Sequence, residues 1–423
     1  MLVIGFDRIE FASQTDVGVR RSHNQDAHAS HLASDESQWQ ERGHVFLVAD
    51  GMGAHAVGEL ASELAVGIIP HTYQKHVSQV GVPALRKAFI EANATIHAKG
   101  QQNPEFVGMG TTTTALVLRP EGAWVGHVGD SRAYRVRDGQ IEQMSFDHSL
   151  VWEMARRQGI EPEALQGIPS NVIIRSLGPE PLVQVDIEGP HELESGDIFL
   201  LCSDGLSGQV SDAEMGAVAS CLPPPEACRF LIDLANLRGG PDNITVMIVR
   251  INEGADVPAR PPESRKLTRL IPWPFMTLGI GMISAAAAAL LTLNDHRTLG
   301  FTLFPIAAVF VLAGFLGLFL FSNQEKKRLA AIPAHGKPRF YRRSPCKVEP
   351  SLVQRIHKVL TGIEKHLKEK NWEVNWDEYL LLLGRGDEAS QQHDQAEAFR
   401  QYCRAMSLLA EAVQRHRARG EVL

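Results

Sequence analysis

From Leu270 to Asn294 the chain carries no ionisable side chain, and from Leu299 to Ser322 it again carries none. The runs are 25 and 24 residues long. At about 1.5 Å per residue, a helix of that length spans a hydrocarbon core of about 30 Å. Only Asn294, Asp295, His296, Arg297 and Thr298 break the apolar stretch. Two adjacent uncharged runs of spanning length exceed what the buried hairpin of a water-soluble domain needs, so they point to a membrane hairpin. Gly279, Gly281, Ser284 and the alanines 285–289 allow close helix contact, and Pro305 is a kink that a bilayer helix tolerates. Transmembrane helices are therefore expected at 270–294 and 299–322, joined by an outside turn at 295–298.

Charge is distributed around this stretch by sign. Residues 1–269 hold 22 Lys+Arg and 35 Asp+Glu, a net of −13, whereas 323–423 hold 19 and 13, a net of +6. Arg265, Lys266 and Arg269 precede the first run and Lys326, Lys327 and Arg328 follow the second, against Arg297 in the turn. This bias directs both large parts to the cytoplasmic side of the cell inner membrane. No basic segment precedes an apolar stretch in Met1–Glu10, so no cleaved signal peptide is expected. Five cysteines in 423 residues exclude a disulfide scaffold and fit a reducing compartment. The overall charge of −7 argues against a nucleic-acid partner.

The acidic part alternates short strands and helices. Val45–Ala49, Thr112–Leu118, Trp124–Val128, Ile198–Cys202 and Ile244–Ile251 read as strands, and Gly58–Ile69 and Val82–Lys99 as helices. Proline thickens from Pro258 to Pro262, marking a linker at 253–269. The chemistry-bearing residues are aspartates in loops and at strand ends: Asp26, Asp50, Asp130, Asp204 and Asp242, of which Asp50 and Asp204 precede glycine. A single Asp-Gly is most simply a turn. Several converging carboxylates make a hard-oxygen site suited to Mg²⁺ or Mn²⁺, and a pair of such ions lowers the pKa of a shared water and orients a phosphoryl group.

Eight segments in order carry a family resemblance. They are Asp16-Val-Gly-Val-Arg-Arg-Ser-His-Asn-Gln-Asp26, Ala49-Asp-Gly-Met-Gly-Ala-His55, Gly108-Met-Gly-Thr-Thr112, Gly129-Asp-Ser-Arg132, Asp147-His-Ser-Leu150, Arg175-Ser-Leu-Gly178, Cys202-Ser-Asp-Gly-Leu206 and Pro241-Asp-Asn-Ile-Thr-Val246. Together they resemble the metal-dependent protein serine/threonine phosphatases of type 2C, the PPM family, in its bacterial branch. The resemblance implies an α+β catalytic domain over 1–252, with two central antiparallel sheets sandwiched between helices. It implies two divalent ions, Mg²⁺ or Mn²⁺, on Asp26, Asp50, Asp204 and Asp242 with the Gly51 carbonyl, and a third, weaker ion at Asp130 shared with Asp204. Arg21 matches the arginine that grips the substrate phosphate, and 147–178 matches a mobile flap. The implied reaction is direct attack of a metal-bridged hydroxide on phosphoserine or phosphothreonine in proteins, reversing a cognate Ser/Thr kinase.

Three departures bear on activity: Gln25 where the family has Glu, Ala54 where it has a second Gly, and Met52 where animal members have His. A catalytically impaired phosphoprotein-binding scaffold at the membrane is the alternative that Gln25 leaves open. Other phosphatase chemistries lack their residues. No cysteine has Arg six positions after it, no Gly-Lys-Ser/Thr loop appears, and no His-Glu-x-x-His is present. Cys202 reads as a small strand residue, and His23, His55 and His148 admit structural roles as readily as catalytic ones.

Residues 323–423 read as a basic helical cytoplasmic tail domain. Leu352, Ile356, Val359, Leu360, Ile363 and Leu367 recur at helical spacing, as do Phe399, Tyr402, Met406, Leu409 and Val413. The tail is expected to pack on itself, or else to use its 3-4-3-4 stripe as a docking or dimerisation surface. Arg339, Arg342, Arg343 and Lys347 are expected to rest on anionic membrane lipid.

Overall fold

Runs of consecutive apolar residues become strands covered on both faces. The computed structural model describes residues 7–53, 57–76, 82–165, 167–169, 171–252, 273–293, 303–305, 308–314 and 341–418, without the side chains of 273–278. In chain order come β1 (Ile9–Asp16), β2 (Asp26–His31), α1 (Glu36–Glu41), β3 (His44–Met52), α2 (Val57–Lys75), α3 (Val82–Gly100), β4 (Gly110–Thr111), β5 (Thr113–Arg119), β6 (Gly122–Val128) and β7 (Arg132–Arg137). There follow β8 (Gln140–Gln143), α4 (Leu150–Gln158), β9 (Asp186–His191), β10 (Ile198–Cys202), α5 (Asp204–Ser207), α6 (Asp212–Cys221), α7 (Pro224–Leu237) and β11 (Ile244–Ile251). Last come α8 (Trp273–Leu293), β12 (Arg342–Pro345), α9 (Pro350–Glu369), α10 (Trp376–Gln391) and α11 (Gln395–Ala418).

Two antiparallel sheets form, one ordered β1-β11-β10-β7-β8-β12 and the other β2-β3-β5-β6-β9, with β4 beside β3. Strand periodicity sorts the side chains into layers. Phe46, Val48, Leu116, Leu118, Phe199, Leu201, Met247 and Val249 fill the space between the sheets. Val45, Leu47 and Ala49 face the other way, onto Ala61, Ala65, Ile69, Leu85 and Phe89 of α2 and α3. Leu200, Cys202, Val246 and Ile248 face Val218, Phe230, Leu231 and Leu234 of α6 and α7. This is the α+β sandwich of two antiparallel sheets that the resemblance implies, with its edge strand β12 drawn from outside 1–252.

The tail helices pack on one another, α9 and α10 both against α11, and they also join the catalytic layers. The described residues of Leu2–Ala255 and Pro338–Leu423 belong to one compact unit. Leu352, Ile356, Leu360, Phe399, Tyr402, Met406, Leu409 and Val413 share a single apolar cluster with the outer face of β10, β11, α6 and α7. The stripes thus pack within the tail, as one of the two expectations had it, and the face of α11 left for docking is covered by α6 and α7 of the same chain. Most residues of the two stripes are nearly or fully buried; Ile363 is half-buried and Val359 is exposed, at 42%. The basic residues after the apolar runs are engaged as well. Arg342 Nη2 lies 2.8 Å from Glu163 Oε1, Arg343 Nε 3.0 Å from Glu142 Oε1, and the Lys347 stem lies against Gly139. They serve the fold where the sequence suggested a lipid surface; Arg339 lies outside the described residues.

The other unit contains the 21-residue helix α8. Among the described residues no helix is long and apolar enough to cross a membrane. Of the expected span 270–294, side chains are described only for 279–293, and most of the span 299–322 lies outside the described residues, as do the turn 295–298, the linker 253–269, Ala54 and His55.

Candidate functional site

The sandwich brings its aspartates to one end because that is where several strands start or stop. Asp26 opens β2 and Asp50 stands near the end of β3, directly opposite it in the antiparallel register. Neighbours across a non-bridged or bridged pair point to the same face, so two carboxylates here repel. Asp204 follows β10 and Asp242 precedes β11, whose ends adjoin through Cys202↔Val246. Asp130 lies in the turn from β6 to β7, and Arg132 of β7 pairs with Cys202. Glycine is required beside two of these residues. A Cβ on Gly51 would lie 2.1 Å from Gly58 O, and one on Gly205 would lie 2.0 Å from Asn243 O.

Electrostatics shows that the carboxylates sense one another. Burial raises Asp26 to about 7, with Asp204 and Asp242 adding to the rise against hydrogen bonds from Ser203 and Thr245. Asp50 is held well above the ordinary carboxylate range by burial, then by Asp26, Asp204, Asp130 and Asp242. Asp130 is raised by burial and by Asp204 and Asp147, and Asp204 by burial and Asp242. Oδ1 of Asp26, of Asp130 and of Asp204 is buried without a hydrogen-bond partner. Such orphaned oxygens are costly unless something positive meets them. Among the described residues no three His, Cys, Asp or Glu side chains are drawn tightly enough to hold a metal ion by themselves. The arrangement is a ring of interacting carboxylate oxygens, the donor type that hard cations prefer.

Arg21 belongs to the same ring. Its Nη2 donates to Asp242 Oδ2 at 2.7 Å, and its side chain remains 52% exposed. The Asp242 hydrogen bond raises its pKa first, against desolvation, and the charges of Asp242, Asp50 and Asp204 add to the rise. Gln25 Nε2 approaches Gly53 O at 3.4 Å, and its backbone is fixed by Asn243, Gly51 and Ser62. Two struts were not singled out from the sequence. Ser203 Oγ donates to Asp26 Oδ2 at 2.7 Å and accepts from Thr245 N–H at 2.9 Å. Asn243 accepts from Gln25 N–H and donates to the carbonyls of Val17 and His23. Their only sequence signal is adjacency to Asp204 and Asp242.

The histidines take structural places. His148 is buried, accepts from Gly129 N–H through Nδ1 at 3.0 Å, and points Nε2 at Asp186 Oδ2, 3.1 Å away. His23 is exposed and contributes its carbonyl to Asn243. Cys202 is fully buried, and burial pushes its thiol far up, which removes it as a nucleophile.

Comparison with known proteins agrees with this architecture. Residues 18–224 match the family profile described as protein phosphatase 2C. Protein phosphatase PhpP of Streptococcus pneumoniae is 36% identical over 251 residues, which cover 58% of this chain and 98% of that protein. Serine/threonine protein phosphatase PstP of Mycobacterium tuberculosis is 32% identical over 247 residues, covering 57% of this chain and 45% of that one. The crystal structure of the Mycobacterium tuberculosis serine/threonine phosphatase PstP/Ppp superposes with a TM-score of 0.52 at 32% identity, covering 58% of this chain and 99% of that chain. With nearly the whole of PhpP covered at that identity and the same sandwich in the solved phosphatase, this chain belongs to the protein phosphatase 2C family of serine/threonine protein phosphatases.

Proposed function

We propose that Asp26, Asp50, Asp204 and Asp242, with the Gly51 carbonyl, hold two divalent cations, Mg²⁺ or Mn²⁺, and that Asp130 and Asp204 share a third, weaker one. The reaction is direct hydrolysis of phosphoserine and phosphothreonine in proteins. The observation that carries this reading is the ring of mutually repelling carboxylates with orphaned Oδ1 atoms on Asp26, Asp130 and Asp204. Bound cations supply a water of lowered pKa and neutralise phosphate charge. The chain's own residues do the rest. Arg21 spends one N–H on Asp242, and its remaining fork faces solvent, where it suits two phosphate oxygens. Ser203 holds Asp26 in place, and Asn243 fixes the loop that carries Asp242. No phospho-enzyme is involved, since Cys202 is buried as a thiol and Ser203 Oγ is committed to Asp26 and Thr245.

The test is phosphate release from a phosphothreonine peptide by the full chain, with Mn²⁺ and with chelator. Asp50→Asn and Asp242→Asn are expected to abolish metal-dependent turnover and to remove calorimetrically detected Mn²⁺ binding. Near-normal turnover in either variant refutes the role of that aspartate.

The uncharged runs 270–294 and 299–322 and their basic flanks support a further reading. In it the chain is held at the cytoplasmic membrane as a two-span protein with both large parts inside, and a Ser/Thr kinase makes its substrates. Retention in the membrane pellet after alkaline extraction, and reporter fusions at both ends, check this. An external C-terminal reporter overturns the orientation.

A further inference from the structure

The segment 147–178 borders the carboxylate ring and is tied to it at both ends. At one end His148 N–H donates to Gly129 O at 2.7 Å and Gly129 N–H donates to His148 Nδ1, immediately before Asp130. At the other, Thr111 and Leu177 exchange backbone hydrogen bonds of 3.0 and 2.9 Å, and Thr111 Oγ1 donates to Asp50 O. Between these ties α4 turns Trp152 inward, leaving it 7% exposed.

Two guanidinium groups flank the Trp152 ring. Arg132 lies 5.4 Å from its centroid and Arg342 5.7 Å. Arg132 also binds Asp147, with Nε 2.9 Å and Nη2 2.7 Å from Oδ2. Arg342 comes from the tail and reaches on to Glu163 at 2.8 Å. Its position is set by β12, which adds a strand to the edge of β8 with Arg342 opposite Gln143. Gln143 Nε2 in turn donates to Asp147 Oδ1 at 2.8 Å. The neighbouring Tyr341 ring packs 5.4 Å from Phe146, and its hydroxyl donates to Glu188 at 2.7 Å.

We propose that Arg342 is a positioning residue for the phosphatase reaction: through Trp152 and Glu163, the tail strand holds α4 and the following turn against the Asp130 side of the site. The proposal rests on the reading of the aspartate ring as the active site. The Trp152 contact is the stronger half, because a cation–π pair gains from desolvation while Glu163 is 62% exposed. Losing both contacts is expected to change the occupancy of the ordered segment by about fivefold.

The experiment compares the full chain with Arg342→Ala and Arg342→Lys. For a phosphothreonine peptide, Arg342→Ala is expected to raise KM about fivefold with kcat within about twofold. Hydrogen exchange at the amides of 150–158 is expected to quicken by a similar factor while that of α2 stays unchanged. Arg342→Lys keeps the charge facing Glu163 but not the flat guanidinium, and is expected to restore part of both effects. Unchanged exchange in α4, faster exchange spread equally over α2 and α7, or an unchanged KM each overturns the proposal. Exchange needs no turnover, so a wild-type chain that releases no phosphate counts against the aspartate reading and leaves the exchange result to decide this one.

Discussion

Asp233 offers a quantitative probe of how the tail is joined to the catalytic domain. It sits on α7 at 4% exposure, facing α11, with Oδ2 lacking any hydrogen-bond partner and Gln414 Nε2 at 3.4 Å from Oδ1. Ser407 of α11, Arg229 one turn earlier on α7 and Asp16 of β1 complete its surroundings, and Arg229 is itself paired with Glu411. Burial raises Asp233 from 3.8 to about 6, against the Ser407 hydrogen bond and the Arg229 charge. The folded protein therefore holds this proton more tightly than the unfolded chain does. The associated stability is fully present below pH 3.8 and is lost as pH rises to about 6. At about 1.36 kcal/mol per unit, the ionised carboxylate costs about 3 kcal/mol at neutral pH, and about 2 kcal/mol of that develops between about pH 4.5 and 7.5. Asp233→Asn removes the ionisation and leaves the volume unchanged. Urea denaturation of both proteins across that window is expected to show the variant gaining about 2 kcal/mol relative to wild type as pH rises. The pH-independent cost of the new amide cancels in this difference. A gap that stays constant with pH refutes the reasoning, because it means that Asp233 ionises in the folded protein as it does in water.

Two further substitutions examine other parts of the same body. Burial alone would raise Glu214, but hydrogen bonds from Arg238 and Ser211 outweigh it and bring the carboxyl down to about 2. Its stabilisation is present above about pH 4.5 and fades as pH falls toward 2, so Glu214→Gln is expected to cost up to about 3 kcal/mol at pH 7 and much less at pH 3; equal costs in urea titrations at the two pH values would count against it. Phe399 is fully buried in the cluster shared by the tail and the catalytic domain, so Phe399→Ala is expected to cost about 3–5 kcal/mol and to lower a single transition seen by probes in both parts. A tail that melts alone while the catalytic domain keeps its midpoint would separate the two.

The strands were legible because their apolar residues are consecutive, and consecutive apolar residues in short runs are most simply buried on two sides. Ile198–Cys202 is the plainest case, all five side chains being buried between two layers. The aspartates were legible for a related reason. A carboxylate placed directly after or before such a strand stands at the end of the sandwich, and the glycine after Asp50 and Asp204 marks backbone in close approach. Ser203 and Asn243 were not legible, since a hydroxyl or an amide beside an aspartate is ordinary in any loop. Their importance comes from partners far along the chain, Asp26 for Ser203 and Gln25, Val17 and His23 for Asn243.

The tail shows where local pattern stops informing. An amphipathic stripe such as Phe399–Val413 states that one face is buried, and it does not state against what. Here the cover is shared between α9 and α10 of the tail and α7, the last separated from α11 by more than 150 residues of sequence and with an apolar side equally non-committal. β12 is less legible still. Its four residues, Arg-Arg-Ser-Pro, have no strand preference, and they become a strand because β8 presents an unpaired edge that accepts Tyr341 N–H and the β12 register. Arginines beside an uncharged run read as lipid-facing for the same reason: the sequence shows their charge and not the carboxylates of Glu142 and Glu163 that meet it. Because a covered edge and a covered helix face are both supplied by the tail, the catalytic sandwich of this chain is completed by residues beyond the portion it shares with PhpP. Changes in the tail are thereby coupled to α4 and the carboxylate ring through ordinary packing.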